Sequence, residues 1–263
     1  MKAAFKYIYG PVPSWRLGSS LGIDLLSQKG KICNFDCIYC QLGKTRKHTV
    51  ERKTYVPAEE VIREFKNLPR IKVDYVTFSG RGEPTLAKNL GESIKMVKLI
   101  RKEPIAVITN SSLLRMDEIR KELALADFVI VKLDAYSQES LVKMNRPSEE
   151  IEFSSILKGI KEFRESYLGR LALQIMFIQE NKEEINEYTY LFNYIKPDEV
   201  QVNTPLRHCN IKPLSGKEVF KIKDHFILAG KGINIVSVYD DRAFKNVISV
   251  SKADTLIRRG KVK

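Results

Sequence analysis

The stretch VDYVTFSGRGEPTL, Val73–Leu86, reads in two halves. Val73–Ser79 is rich in β-branched and aromatic residues, the composition of a strand. Gly80-Arg81-Gly82 then breaks the strand and turns the chain. Apolar residues at helical spacing follow over Leu90–Lys102, and IAVITN (Ile105–Asn110) is again a strand. A strand, a polar loop, a helix and a second strand make the unit from which parallel sheets are built.

The same unit recurs on both sides. Upstream, LGIDLL (Leu21–Leu26) is a short apolar run interrupted by Asp24. A cysteine-bearing loop and PAEEVIREFKNL (Pro57–Leu68) follow, with Pro at the first helical position. Downstream come a helix over Met116–Leu125, the strand Asp127–Ala135, a helix over Ile151–Tyr167 and the strand Leu171–Ile178. A helix over Lys182–Tyr194, the strand Glu199–Asn203, a helix over Ser215–Gly230 and the strand Ile233–Tyr239 complete the series. Near-continuous apolar strands argue for a parallel sheet covered by helices. Six or seven such units suit a partial or full (β/α) barrel, with an open doubly wound sheet as the alternative. In both, chemistry belongs at the C-terminal ends of the strands. The unusual polar stretches fall there: SGRGEPTL (Ser79–Leu86), TNSS (Thr109–Ser112), Lys132 with Asp134, and NTPLRH (Asn203–His208).

Composition sets the class. The chain has 263 residues, 43% of them apolar and 29% charged, as in a soluble globular protein. No apolar run approaches the roughly 18 residues of a membrane span. MKAAFKYIYGPVPSW at the N-terminus is too interrupted for a signal peptide, so the expected compartment is the cytoplasm. The net charge of +13 fits a solvated Lys- and Glu-rich surface or a polyanionic partner such as RNA. Basic residues cluster in Gly43–Lys53 and in RRGKVK at the C-terminus.

The loop KICNFDCIYCQ (Lys31–Gln41) carries Cys33, Cys37 and Cys40, and Cys209 lies far downstream. Clustered cysteines in a reducing compartment read as metal ligands. Zinc wants four ligands, for which Asp36 and His48 are the nearby candidates. A [4Fe–4S] cluster needs one thiolate per iron, and three cysteines leave one iron open.

The spacing C-x3-C-x-aromatic-C, with Tyr39 at the aromatic place, resembles the signature of the radical S-adenosylmethionine (radical SAM) enzymes. The resemblance implies a partial (β/α)6 TIM-like barrel with small N- and C-terminal extensions. It also implies a [4Fe–4S] cluster on Cys33, Cys37 and Cys40 whose open iron is chelated by S-adenosylmethionine. Reduction by a donor such as flavodoxin or ferredoxin then yields a 5′-deoxyadenosyl radical that takes a hydrogen atom from substrate. Gly80, Gly82 and Glu83 match the strand end that binds the methionine amino group. Asn110 and Ser111 match residues reaching the ribose or the methionine carboxylate. Asp134 matches another polar contact, and Asn203 would lie near the adenine. Loop capping is the competing role for these last four polar residues.

GPVPSWRLGSSLGIDLL (Gly10–Leu26), FSGRGEPTL, KLDAYS and KMNRP (Lys143–Pro147) resemble the radical SAM proteins grouped with the wyosine synthases, which act on tRNA. The cysteines for a second cluster are missing, because none precedes Cys33. A tRNA substrate is therefore one expectation, a protein or small-molecule substrate a second, and a non-catalytic Fe–S or zinc RNA-binding protein a third. Trp15 and Arg16 are candidates to line a substrate mouth. Lys132 is either a buried amine near the cofactor or a solvent-facing one. His48, His208 and His225 share no metal spacing. A single domain over 1–263 is expected, with its core at about 18–210 and an extension from about 211. The oligomeric state is not legible.

Overall fold

The computed structural model describes residues 5–207, 209–240, 249–250 and 255–256. The chain opens with an antiparallel hairpin of β1 (Ile8–Ser14) and β2 (Gly18–Ile23). A two-stranded ribbon, β3 (Ile32–Cys33) and β4 (Lys47–His48), holds the ends of the cysteine loop. Then follow α1 (Ala58–Lys66), β5 (Tyr75–Phe78), α2 (Leu90–Ile100), β6 (Ile105–Thr109), α3 (Asp117–Leu123) and β7 (Phe128–Lys132). Two helices come next, α4 (Gln138–Asn145) and α5 (Phe153–Ser166), before β8 (Arg170–Met176) and α6 (Ile185–Ile195). The last elements are β9 (Glu199–Asn203), α7 (Gly216–Ala229) and β10 (Asn234–Ser237).

The strands form one eight-stranded sheet in the order β1-β2-β5-β6-β7-β8-β9-β10. All neighbours from β2 to β10 are parallel, and only β1 runs the other way. Helical crossovers link these strands, so the sheet curls into the expected partial (β/α)6 barrel, with β10 added at one edge and β1 at the other. The strand β1 escapes the sequence pattern because Gly10, Pro11 and Pro13 interrupt it. Proline is tolerated there because an edge strand has a row of amides without ladder partners. The register shift between Tyr9 and Val12 absorbs the irregularity.

Helix α4 was also not read from the sequence. It has only eight residues, fewer than periodicity resolves. Its limits are local: Ser137 and Ser140 form a capping box at the start, and Arg146 adopts a left-handed φ of 46° at the end. The helix read over Lys182–Tyr194 begins only at Ile185. Before it, the Asn181 side chain receives the amide of Ile178 and donates to the Tyr188 hydroxyl, which holds that stretch in turns.

Alternation along the strands divides the interior. Ile105, Val107, Val129, Val131, Leu171 and Leu173 pack toward the helices in the main core. Ala106, Ile130 and Ala172 face the other way, into the barrel, where Leu17 from the hairpin turn packs on them with Phe128. Leu17 is 2% exposed, and truncating such a side chain to Ala costs about 2–5 kcal/mol. It plugs the barrel interior below the strand ends. Among the described residues, no helix is long and apolar enough to cross a membrane.

Candidate functional site

Above the Leu17 plug lies a cavity of about 540 Å³. Its wall includes Cys33, Cys37 and Cys40, together with Tyr39, Gly80, Gly82, Glu83, Asn110 and Asn203. Loops at the ends of β2, β5, β6 and β9 therefore meet in one place, as strand-end chemistry requires. A second hollow, of about 600 Å³, lies between α2 and α3. It is lined mainly by side chains of those two helices and lacks this set of groups.

Two clamps hold the cysteine loop. The first is Gly82. Ile32 and Gly82 pair as a parallel bridge, with the Ile32 amide donating to Arg81 O (3.1 Å) and the Glu83 amide to Ile32 O (3.2 Å). A Cβ on Gly82 would stand 1.7 Å from the Ile32 carbonyl oxygen. Only glycine permits that approach, so this glycine serves the approach of two backbones. The second clamp is the end of α4. Asp36 N donates to Asn145 O (3.0 Å), Ile38 N to Met144 O (3.0 Å), and Ser148 N to Asn34 O (2.9 Å). The motifs GRGEP and KMNRP thus grip the loop from two sides.

Glu83 is 2% exposed. Its Oε1 accepts from Thr85 N, Thr85 Oγ1 and Thr109 Oγ1, and its Oε2 accepts from Asn110 N at 2.6 Å. Burial raises its pKa, and the donors oppose that only in part. This carboxylate ties the end of β5 to the end of β6, with accepting capacity left on Oε2 alone. Asn110 donates to Asn34 Oδ1 (2.7 Å) and lies 3.7 Å from Cys33 Sγ.

Two residues read as cofactor contacts stand behind the wall. Ser111 is fully buried, and its left-handed φ of 69° turns its hydroxyl onto the Lys132 carbonyl (3.0 Å). Asp134 accepts from Tyr39 Oη (2.5 Å), Lys132 Nζ (2.7 Å) and Met176 N (2.7 Å). It orients the two side chains that do line the cavity. Burial opposes the charge on Lys132, but Asp134 together with Cys37 and Cys40 holds the ammonium above its ordinary pKa. Lys132, its side chain 19% exposed, thus turns to Asp134 and the cavity. Burial, with Asp134 beside it, also pushes the Tyr39 hydroxyl well up.

Asn145 was not singled out by sequence. Its Nδ2 lies 2.6 Å from Tyr39 Oη and 3.3 Å from Cys37 Sγ. The signal was present in KMNRP but without a role attached. Burial raises the Cys33 thiol to about 12 and raises that of Cys37. Trp15, Arg16 and Arg207 also line the cavity. The two candidates for a fourth ligand turn elsewhere: Asp36 accepts from Thr45 N (2.7 Å), and His48 Nε2 pairs with Asn34 O (2.9 Å). Cys209 donates to Ile211 O (3.3 Å) and does not border the cavity. His225 makes a ring contact with Phe226 on α7, and His208 lies outside the described residues.

A curled half-barrel with a three-cysteine loop after its first parallel strand defines a class of α/β-barrel enzymes that work at the strand ends. The family model described as the radical SAM superfamily matches residues 28–189, and the chain belongs to that superfamily of enzymes. It is 40% identical over 243 residues to a UPF0026 protein of Synechocystis sp., a match that covers 92% of this chain and 86% of that protein. It is 37% identical over 264 residues to a protein of Brachyspira hyodysenteriae named GTPase Obg, where 97% of this chain spans only 38% of the longer protein. Among solved structures, Streptococcus suis SuiB bound to S-adenosylmethionine matches with a TM-score of 0.61 at 15% identity, over 82% of this chain and 49% of SuiB. Archaeal TYW1 matches with a TM-score of 0.57 at 16% identity, over 88% of this chain and 77% of that one. At such identities the likeness is one of fold, and it agrees with the resemblance to the wyosine-synthase group.

Proposed function

We propose that Cys33, Cys37 and Cys40 hold a [4Fe–4S] cluster and that S-adenosylmethionine occupies the iron they leave open. One observation carries this reading. Three cysteines of one loop border a single cavity whose described wall offers no fourth cysteine, no histidine and no aspartate. The wall's one carboxylate, Glu83, is already engaged by its neighbours.

The residues fit the group in two further respects. Burial makes Cys33 and Cys37 poor thiolates on their own, and coordinated iron would supply the compensating positive charge. Among the described residues, no three His, Cys, Asp or Glu side chains converge as the ligands of one ion do. A cluster with one thiolate per iron suits three cysteines of one loop that border one cavity.

When bound, the cluster and S-adenosylmethionine supply one-electron cleavage of the sulfonium and a 5′-deoxyadenosyl radical that removes a hydrogen atom from substrate. The chain positions these groups. Glu83 Oε2 would accept from the cofactor's ammonium, Gly80 and Gly82 bring bare backbone to the cavity wall, and Asn110 and Asn203 would offer amides from neighbouring strand ends. Tyr39 lines the pocket with its hydroxyl fixed by Asp134 and Asn145, and Ser111 fixes the end of β7. The electron comes from a flavodoxin or ferredoxin. Among substrate classes the net charge of +13 favours RNA.

Anaerobic reconstitution with iron and sulfide, followed by dithionite and S-adenosylmethionine, tests the reading. Formation of 5′-deoxyadenosine that is lost on replacing any of the three cysteines with Ala is the expected result. A colourless zinc protein, or a brown one that leaves the cofactor intact, sinks it. Binding to bulk tRNA that weakens steeply with salt tests the substrate class, and no binding at low salt counts against RNA.

A further inference from the structure

Four cationic side chains line the cavity: Arg16, Lys31, Lys132 and Arg207. Two of them stand beside a carboxylate. Lys132 pairs with Asp134 at 2.7 Å, and Lys31 lies 3.9 Å from Asp36, next to the cysteine loop. Arg16 is different. It stands in the turn between β1 and β2, beside the Leu17 plug, and enters from the end of β2 opposite the cysteine loop. Its Nε is buried and has no hydrogen-bond partner among the described residues. The contact its guanidinium does make is with the ring of Trp15, 4.9 Å from the centroid.

Arg52 shows a buried guanidinium with a full set of partners. Its side chain is 9% exposed, and it reaches Glu118, Glu122 and the carbonyls of Thr85 and Ala87. Leaving a buried guanidinium nitrogen such as Arg16 Nε without such a partner is costly. The cost at Arg16 is raised by a second guanidinium. Arg207 arrives from the loop after β9 at the other side of the half-barrel, close enough that burial and its charge together lower Arg16 to about 10. Two guanidinium groups bordering one cavity suit an oxyanion, which each can hold in bidentate fashion.

We propose that Arg16, together with Arg207, binds an anionic group of the substrate, a phosphate or a carboxylate, and that this pair selects the substrate that enters the half-barrel. Assigning the anion to the substrate rests on the cofactor reading above, in which S-adenosylmethionine sits against the cysteine loop and Glu83. The anion site itself stands on the arginines alone.

The test uses the full chain, reconstituted and saturated with S-adenosylmethionine. Calorimetric titrations at low ionic strength use inorganic phosphate and acetate as separate probes. Binding of either that weakens about tenfold or more in both Arg16→Gln and Arg207→Gln is expected. The preferred probe distinguishes a phosphorylated substrate from a carboxylic one. Binding of neither probe, or equal binding by wild type and variants, overturns the proposal. Loss of S-adenosylmethionine binding in Arg16→Gln also overturns it, because the arginine then belongs to the cofactor. Thermal unfolding at low salt without anion is a further readout. Relief of repulsion should leave Arg16→Gln at least as stable as wild type, and a lower melting temperature would mark Arg16 as structural. Absence of 5′-deoxyadenosine in the same samples would refute the cofactor reading while leaving Arg16-dependent phosphate binding intact.

Discussion

Replacing Gly82 with Ala should disable the cofactor site without touching a ligand. The new Cβ would lie 1.7 Å from the Ile32 carbonyl oxygen, 2.8 Å from the Ile32 carbonyl carbon and 2.8 Å from Leu26 Cδ1. A tolerable carbon–oxygen contact is about 3.3 Å, so the two backbones must part by roughly 1.6 Å. That opens the bridge whose bonds run from Ile32 N to Arg81 O and from Glu83 N to Ile32 O. Each such bond has a net worth of about 1 kcal/mol, and forced repacking adds about 1–3 kcal/mol. The total is about 3–5 kcal/mol, a fall in melting temperature on the order of 10 °C. Cys33 follows Ile32 directly, so the displacement reaches a cluster sulfur. Thermal unfolding and iron content of the reconstituted variant are the assays. A melting temperature within about 2 °C of wild type, together with full iron content, would refute the idea that this glycine holds the cysteine loop.

Two other perturbations act at a distance from the ligands. Asn145→Ala removes the donor 3.3 Å from Cys37 Sγ and 2.6 Å from Tyr39 Oη. Hydrogen bonds to cluster sulfurs favour the more negative, reduced state. The variant's cluster should therefore be harder to reduce in an EPR-monitored redox titration, and an unchanged or higher potential would count against the role. Glu218 caps α7 with Ser215 and pairs with Lys182, and these partners lower its pKa to about 2 from 4.5. A folded-state pKa below the unfolded one means stability that is complete above about 4.5 and is lost as pH falls toward 2. The unfolding midpoint of Glu218→Gln should fall less steeply than wild type across that window, and identical slopes would contradict the pairing.

Much of the architecture was legible because local chemistry and global fold agree. Strands β6 and β7 are apolar on both faces over residues 105–108 and 128–131, as a sheet between helices and a filled barrel demands. The three cysteines and the polar strand ends declared the working end. What stayed hidden depends on tertiary placement. The pattern shows that Ser111 and Asp134 follow strand ends, but not which way a turn points them. A left-handed φ at Ser111 and three converging donors at Asp134 put both behind the wall. Gly82 reads as a loop glycine until Ile32 is seen against it. Asn145 sits on a helix too short for periodicity. Arg16 and Arg207 border one cavity only because the curled sheet brings the first hairpin near the loop after β9.

The central claim is that the fourth coordination place is left for S-adenosylmethionine and not for a protein ligand. The most direct measurement is electron–nuclear double resonance on the reduced, reconstituted protein with S-adenosylmethionine labelled by ¹⁵N at the amino group and ¹⁷O at the carboxylate. The account predicts hyperfine coupling from both labels, unchanged in Cys209→Ala. A cluster without either coupling, or one lost on replacing Cys209, would contradict it.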